Sequence, residues 1–531
     1  MKRWHAAALT FLSPLLILAH PATSEACGGC FVPQVMTSVV TAHRMAFAFS
    51  TKQTVLWDQI QYSGDPKEFS WVLPIRGDAK VEPAHDAWFE TLETVTNTRI
   101  SPPQLNCFVS SSRSGGGCAC GGDDSSSDGF AARGGSTGGV IPGVMVTHEG
   151  TVGPYYQVQL SATSPQSLLQ WLAANGYVIP PDVQPVIAAY VQENFNFIAL
   201  KLRPGLGTRQ MTPVRVITPN VGGSAILPLR MVAAGTGAEV AITLYVISEG
   251  RYEPEGFGRA SVDFSKLSWD WQGGMPGPFG GVSGRSNYSE LRAEALKADG
   301  GKTWLTSFSF PKGLTRTFTD AVGQAITFNV STSTSTTTGG FGVGPGQFEN
   351  LTDLYFAQAA ADSSLLDICS TSKISARLET SSLVRDTCHD APSGGDAGVD
   401  GGTVKMCDPA AAGELAANEL ECNGFTDVSA AFIGMHPNDV WLTRLEANLP
   451  HAALATDLTL HAEATQAEMT HVHRAVTHVN PPCDLLENHP EAALFPDARQ
   501  RRHVQEAGIG FLSAFGLFFA RRLARRKRSG G

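Results

Sequence analysis

The 531 residues contain no H-E-x-x-H, no complete phosphate-binding loop and no repeat with a period of about 20–50 residues. The first two absences remove the familiar zinc-protease and P-loop signatures, and the third removes a solenoid or propeller. Charge is scarce at 17%, below the roughly 25% of an average domain. Positive charge is scarcer still, with 39 Lys and Arg against 49 Asp and Glu. Lys2, Arg3, Arg521, Arg522, Arg525, Arg526, Lys527 and Arg528 hold part of it at the two ends, so the body between them is more acidic than the formal −10 of the whole chain. An acidic body repels phosphate backbones, and no nucleic-acid partner is expected.

Apolar and loop-forming residues are what the chain has in quantity. At 42% apolar it can bury the cores of two or three domains, which excludes a wholly disordered chain. Gly 55 and Pro 31 exceed ordinary usage of about 7% and 5%. That excess sits in loops and speaks against an all-helical fold.

The two ends describe a location. Lys2 and Arg3 precede an apolar stretch from Ala6 to Ala19, and Ser24-Glu25-Ala26 places small residues before Cys27, the pattern of a cleavable export signal over residues 1–26. Cys27 also raises lipoprotein cleavage, but Ser24 and Glu25 stand where an aliphatic and an uncharged residue are wanted, so ordinary cleavage is favoured. At the other end, residues 507–528 form an uncharged run, Ala507 to Ala520, followed by six bases. Fourteen helical residues reach about 21 Å against a hydrocarbon core of roughly 30 Å, so spanning requires Leu523, Ala524 and snorkelling arginines. The competing reading is a short interfacial helix. Export of the body with a basic cluster after the run favours a membrane anchor with the C-terminus inside. The expected membrane contact is therefore residues 507–528, with a protein or glycan partner in the envelope left open.

In an exported chain the ten cysteines, Cys27, Cys30, Cys107, Cys118, Cys120, Cys369, Cys388, Cys407, Cys422 and Cys483, read as disulfide candidates whose pairing spacing does not fix. Cys27-Gly-Gly-Cys30 has redox spacing but begins the mature chain instead of a helix, so a structural role is favoured. Cys118 and Cys120 cannot bridge each other without strain, which leaves Cys107 as a near candidate.

Chemistry-bearing patterns are fragmentary. Gly134-Gly-Ser136-Thr-Gly138 fits G-x-S-x-G without the strand and helix that would strain the turn. Asp124, Ser126, Asp128 and Gly129 begin a calcium loop that ends on Gly135, and Asp396, Asp400 and Gly401 begin another that ends on Cys407. Gly301-Lys302-Thr303 has Leu296 where a phosphate loop needs glycine. Eight of the 14 histidines lie between His436 and His503. His471 and His473 would share a strand face, and His471 and His478 a helix face, so His471, His473 and His478 are the metal candidates, for zinc, against a reading as solvated surface histidines. No cofactor is expected beyond this weak zinc or calcium possibility.

Periodicity predicts an α+β fold of mixed and antiparallel sheets with a few short helices and long Gly/Ser-rich loops. Met45 to Phe49, Thr54 to Tyr62 and Phe69 to Pro74 read as an antiparallel meander. Helices are expected around Trp88, Leu92 and Val95, from Ser164-Pro165 to Gly176, over Val183 to Val191, from Tyr288 to Ala298 and from Leu351 to Ile368. Strands are expected at Ile198 to Leu202, Val214 to Thr218 and Val240 to Val246, in a mixed sheet with helices on one side, and Asn438 to Leu445 and Thr456 to Leu460 as returning strands. The expected division is a signal at 1–26, an α+β portion at 27–370 with loops at 114–139 and 331–347, a Cys-rich portion at 371–485 with a loop at 393–402, a linker at 486–506 and the tail.

Several segments occur in an ordered series: Ala26-Cys27-Gly28-Gly29, Ile60-Gln61-Tyr62-Ser63-Gly64-Asp65, Phe69-Ser70-Trp71-Val72-Leu73-Pro74, Gly150-Thr151-Val152-Gly153-Pro154, Leu169-Gln170-Trp171-Leu172 and Asn175-Gly176-Tyr177. With these the chain resembles the bacterial domain of unknown function 2330 family over most of residues 26 to about 360. The resemblance implies export and supplies no reaction and no catalytic residue. Two function classes follow: an exported, membrane-anchored envelope protein that binds or scaffolds, which is favoured, and an extracytoplasmic hydrolase or metalloenzyme whose His, Asp and Glu come from dispersed positions.

Overall fold

The computed structural model describes residues 30–31, 39–63, 70–104, 142–204 (less 178, 180 and 182), 206, 211–219, 225–233, 238–273, 284–314, 328–330, 346–348, 351–352, 354–355, 388–392, 403–407, 427–435 and 439–480. The export signal, the 507–528 tail, both calcium-like stretches, the G-x-S-x-G match, the 114–139 and 393–402 loops and Cys27, Cys107, Cys118, Cys120, Cys369, Cys422 and Cys483 lie outside the described residues. Of the helix expected from Leu351, only residues 351–352 and 354–355 are described. Among the described residues no helix is long and apolar enough to cross a membrane.

Thirteen strands build two large sheets. In chain order they are β1 (Cys30–Phe31), β2 (Val39–Phe49), β3 (Gln53–Ser63), β4 (Ser70–Ile75), β5 (Lys80–Pro83), β6 (Val144–Val152), β7 (Tyr155–Ala162), β8 (Asn196–Leu202), β9 (Val214–Pro219), β10 (Glu239–Glu249), β11 (Gly258–Ala260), β12 (Thr303–Pro311) and β13 (Val440–Pro450). One sheet has the order β1-β4-β8-β7-β6 and is antiparallel throughout. The other has the order β11-β12-β13-β10-β2-β3-β9-β5, with parallel pairs only at β10–β2 and β11–β12. This is the expected sheet-rich α+β architecture.

Side-chain alternation stacks the two sheets face to face. Met45, Phe47 and Phe49 of β2 and Leu244 and Val246 of β10 meet Trp71, Leu73 and Ile75 of β4 and Ile198 and Leu200 of β8 in one core. The opposite face of the eight-stranded sheet, with Ala46, Ala48, Val55 and Trp57, is covered by α1 (Asp86–Thr96) through Trp88, Phe89, Leu92 and Val95 and by the short helix Asp427–Phe432. The outer face of the five-stranded sheet, with Val72, Phe197 and Ala199, is covered by α2 (Pro165–Ala174) and α3 (Gln184–Gln192). Four layers result, helix, sheet, sheet, helix.

Three details depart from the sequence reading. β2 and β3 do pair as a hairpin, but β4 enters the other sheet between β1 and β8, so the three strands are not a meander. A local turn signal between apolar runs does not say which sheet the next strand joins. Helices cover both outer faces instead of one, because each sheet presents an apolar outer face that needs its own cover. Gly346 and Gln347, assigned to a loop, pair with Val330 and Asn329 in a short ribbon. The returning strands do pair back: β13 lies between β10 and β12, and Leu458–Ala462 joins Ile226–Leu227 and Tyr252–Pro254 in a three-stranded sheet.

A candidate binding cleft between the sheets

At one end of the sandwich the two sheets separate around a cleft of about 400 Å³. Clefts of roughly 300–1,000 Å³ lined by apolar groups with a few polar ones are the usual places for small ligands. The eight-stranded sheet contributes inward-facing Phe47, Leu56 and Val216, the end of β4 contributes Leu73 and Ile75, and Ile226 and Leu227 close the side. Alternation on β2, β3 and β9 is what turns these side chains inward together.

Polar character enters at two places. Thr54 and Thr218, opposite one another on β3 and β9, hydrogen-bond through their hydroxyls and stand half-buried on the wall. Arg76 follows the last residue of β4, is exposed, and lines the mouth. Gly77 comes next with φ +77°, a conformation glycine adopts without penalty, and its carbonyl accepts a hydrogen bond from Asn196 Nδ2 at 3.1 Å. That turn sets the Arg76 guanidinium 4.2 Å from the centre of the buried Phe195 ring, a cation–π contact that holds the charge at the rim.

Beside the cleft, behind the shared wall of Leu56, Leu73 and Leu227, is a smaller void of about 20 Å³, room for one water. His43 and Asp58 face it, 1% and 6% exposed, with Nδ1 and Oδ1 3.0 Å apart. His43 sits opposite Ile60 and Asp58 opposite Met45, so the two are diagonal neighbours across the β2–β3 hairpin. The pair fixes the direction of the imidazole. Met45, Trp71 and Val232 complete the lining, and no hydroxyl, thiol or amine stands among the described residues around this void.

Other buried charges are committed to their own partners. Asp427, fully buried, accepts from Arg215 Nη1 at 3.0 Å, Trp57 Nε1 at 2.8 Å, Tyr355 Oη at 3.0 Å and the His85 amide at 3.3 Å. Glu446 takes Arg444 Nε at 2.6 Å and Ser307 Oγ at 3.0 Å, together with Arg292. Burial alone would raise the Glu446 pKa, but Arg444 and Arg292 outweigh it and hold the carboxyl below its ordinary range. Glu253 accepts from Arg251 Nε at 2.8 Å and from Thr306. Such sets, filled by their own counter-charges, are framework.

The three candidate histidines do not converge. His471 is 1% exposed and packs against Phe308, ring centres 4.9 Å apart. Burial, with Arg99, His473 and Arg444 nearby, lowers its pKa to about 3. His473 stacks on Phe264 at 3.6 Å, and burial lowers its pKa too. His478 is exposed on the strand Thr477–Val479, opposite Trp269. Among the described residues no three His, Cys, Asp or Glu come together in a way that could hold a metal ion. Gly301-Lys302-Thr303 follows the helix Tyr288–Leu296 and opens β12, the reverse of the strand-to-helix order of a phosphate loop.

Three cysteines have described backbone positions. Cys30 opens β1 opposite Trp71, on a strand and not at a helix start. Cys388 and Cys407 stand directly opposite each other in the hairpin formed by Cys388–Pro392 and Thr403–Cys407.

No spacing motif marks the cleft, and sequence reasoning placed Phe47, Thr54, Leu56, Leu73 and Val216 on strands without marking a site there. One signal was present: His43 and Asp58 have the same strand parity as Met45, Phe47 and Leu56, so two polar residues fall on an inward face.

Residues 21–275 match the family described as an uncharacterized protein conserved in bacteria, so the match ends well before the expected limit near residue 360. No curated protein and no solved structure matches the chain.

Proposed function

We propose, from the match of residues 21–275 to the DUF2330 family, that this is an exported, membrane-anchored envelope protein that binds a small ligand in the cleft between its two sheets. The observation that carries the reading is the cleft itself, about 400 Å³ lined largely by apolar residues with Thr54 and Thr218 on the wall and the Arg76 guanidinium at its mouth, its described lining falling between residues 47 and 228 inside the family match. Export rests on the charged, apolar and small-residue segments of residues 1–26, and anchoring on the apolar run and arginines of 507–528. Export would bring the cysteines into an oxidising compartment. There the opposed Cys388 and Cys407 are the pair to bridge, because facing residues of an antiparallel pair have Cα atoms about 4.5–5.5 Å apart, within the roughly 4.4–6.8 Å a disulfide accepts.

Native mass spectrometry of the full chain recovered from bacterial envelopes tests the binding role. A small-molecule adduct on the parent protein that is absent from Ile226→Trp, which fills the cleft, is expected. A parent protein that never carries or accepts a small molecule, or an adduct unaffected by the substitution, would overturn it. Location is tested by fractionating the intact chain, the chain ending at Glu506 and Phe515→Arg. Only the intact chain should resist extraction at high salt and alkaline pH.

A further inference from the structure

We infer that the ligand of the cleft is an anionic amphiphile, with its hydrocarbon part between the sheets and its carboxylate or phosphate on Arg76. The inference rests on the binding role proposed for the cleft. The walls supplied by Phe47, Leu56, Leu73, Val216 and Ile226 offer a ligand contact and desolvation but no hydrogen bond. A wholly polar ligand would lose its hydration there without replacement. The Thr54 and Thr218 hydroxyls on the wall are bonded to each other, so among the described lining residues the charge that orients a ligand is Arg76 at the rim.

The geometry leaves that guanidinium available. Glu193 lies within its electrostatic reach, but the two carboxylate oxygens are already taken by Arg230 Nη1 and Nη2 at 2.7 Å each. Arg230 is held further by Asp457 at 2.7 Å and by the Tyr190 ring at 4.0 Å. Among the described residues Arg76 forms no ion pair, and its guanidinium carbon lies 4.2 Å from the centre of the Phe195 ring, a contact that uses none of its N–H groups as ion-pair donors. Planar N–H forks of this kind match carboxylate and phosphate oxygens. An anion docking there would enter the cleft beside Phe195 and Ile75, which line it with Arg76.

The test uses the full chain stabilised in amphipol and three water-soluble probes of equal chain length: octanoate, octyl phosphate and 1-octanol. Equilibrium affinities are read for the parent, for Arg76→Gln and for Ile226→Trp. The expected result is that at least one anionic probe binds roughly tenfold tighter than octanol, the ratio of one charge-assisted hydrogen bond, that Arg76→Gln removes this advantage with octanol unchanged, and that Ile226→Trp weakens all three. Preference between octanoate and octyl phosphate identifies the head group, and either supports the inference. Equal binding of all three probes, insensitive to Arg76→Gln but lost in Ile226→Trp, overturns the anionic assignment and leaves the cleft a binding site. Absence of binding to the parent, or binding untouched by Ile226→Trp, overturns the cleft reading as well.

Discussion

Single residues in this protein divide into those spent on holding layers together and those free to meet a ligand. Asp427 belongs to the first group: its carboxylate ties Trp57 of β3, Arg215 of β9, the chain before α1 and Tyr355 into one knot. Removing it strands the buried Arg215, left with Glu82 alone at 2.8 Å. Breaking one side of a buried ion pair costs about 3–5 kcal/mol, so Asp427→Ala should lower the unfolding free energy by that order in urea titration. A loss under about 1 kcal/mol would show that the knot is not structural. His471 gives a pH signature. Its folded pKa of about 3 lies below the ordinary 6.5, so between those values the unfolded chain binds more protons and stability falls as the solution is acidified. From pH 7 to pH 5 this group alone should cost about 2 kcal/mol. His471→Phe, which keeps a ring against Phe308, should lose less stability than the parent over that interval, and identical losses would contradict the burial of a neutral imidazole.

Elements show where sequence patterns suffice. The capped helix α2 begins at Ser164, whose hydroxyl accepts the Ser167 amide at 3.1 Å, and Pro165 follows at the first helical position. Ser164→Ala should cost about 1 kcal/mol, read as a shift of the thermal midpoint. A similar experiment on the 388–407 hairpin asks a covalent question. Peptide mapping without reductant should recover Cys388 linked to Cys407, and recovery of either cysteine linked elsewhere would refute the pairing drawn from their register. α1, α2 and α3 were legible because Trp88, Leu92, Leu168, Trp171, Ile187 and Tyr190 recur at helical spacing on one buried face. β10 was legible through Val240, Ile242, Leu244 and Val246, although Tyr245 and Ile247 on its other face are buried as well. β6 was not, since Met145 and Val146 are both exposed and its pattern has no apolar face to detect. The placement of β4 beside β8 escaped for a different reason: sheet membership is decided by hydrogen bonds to residues more than a hundred positions away. The cleft shares that cause, being assembled from Phe47 to Pro228 by pairing instead of by spacing.

Among the described residues the two large sheets form one sandwich closed by a late strand. β13 bonds to β10 along its full length and to β12 on its other edge, so the larger sheet is continuous only when residues 440–450 are present, although the family match ends at residue 275. A chain truncated at residue 405 should therefore lose cooperative unfolding. A truncated chain with an unchanged, sharp transition would instead make the late portion a separate domain. Layering also explains why ligand space opens at one end. The sheets share one core through Met45, Trp71, Leu200 and Leu244, and the cleft lies beyond it, where β4 ends at Ile75 and the chain passes through Gly77. The most direct test of that claim is a methyl-labelled NMR titration of the full chain with octanoate. The account predicts shifts concentrated on Leu56, Leu73, Val216, Ile226 and Leu227, with the α2–α3 layer unmoved. Shifts centred on another surface, or none at saturating ligand, would contradict it.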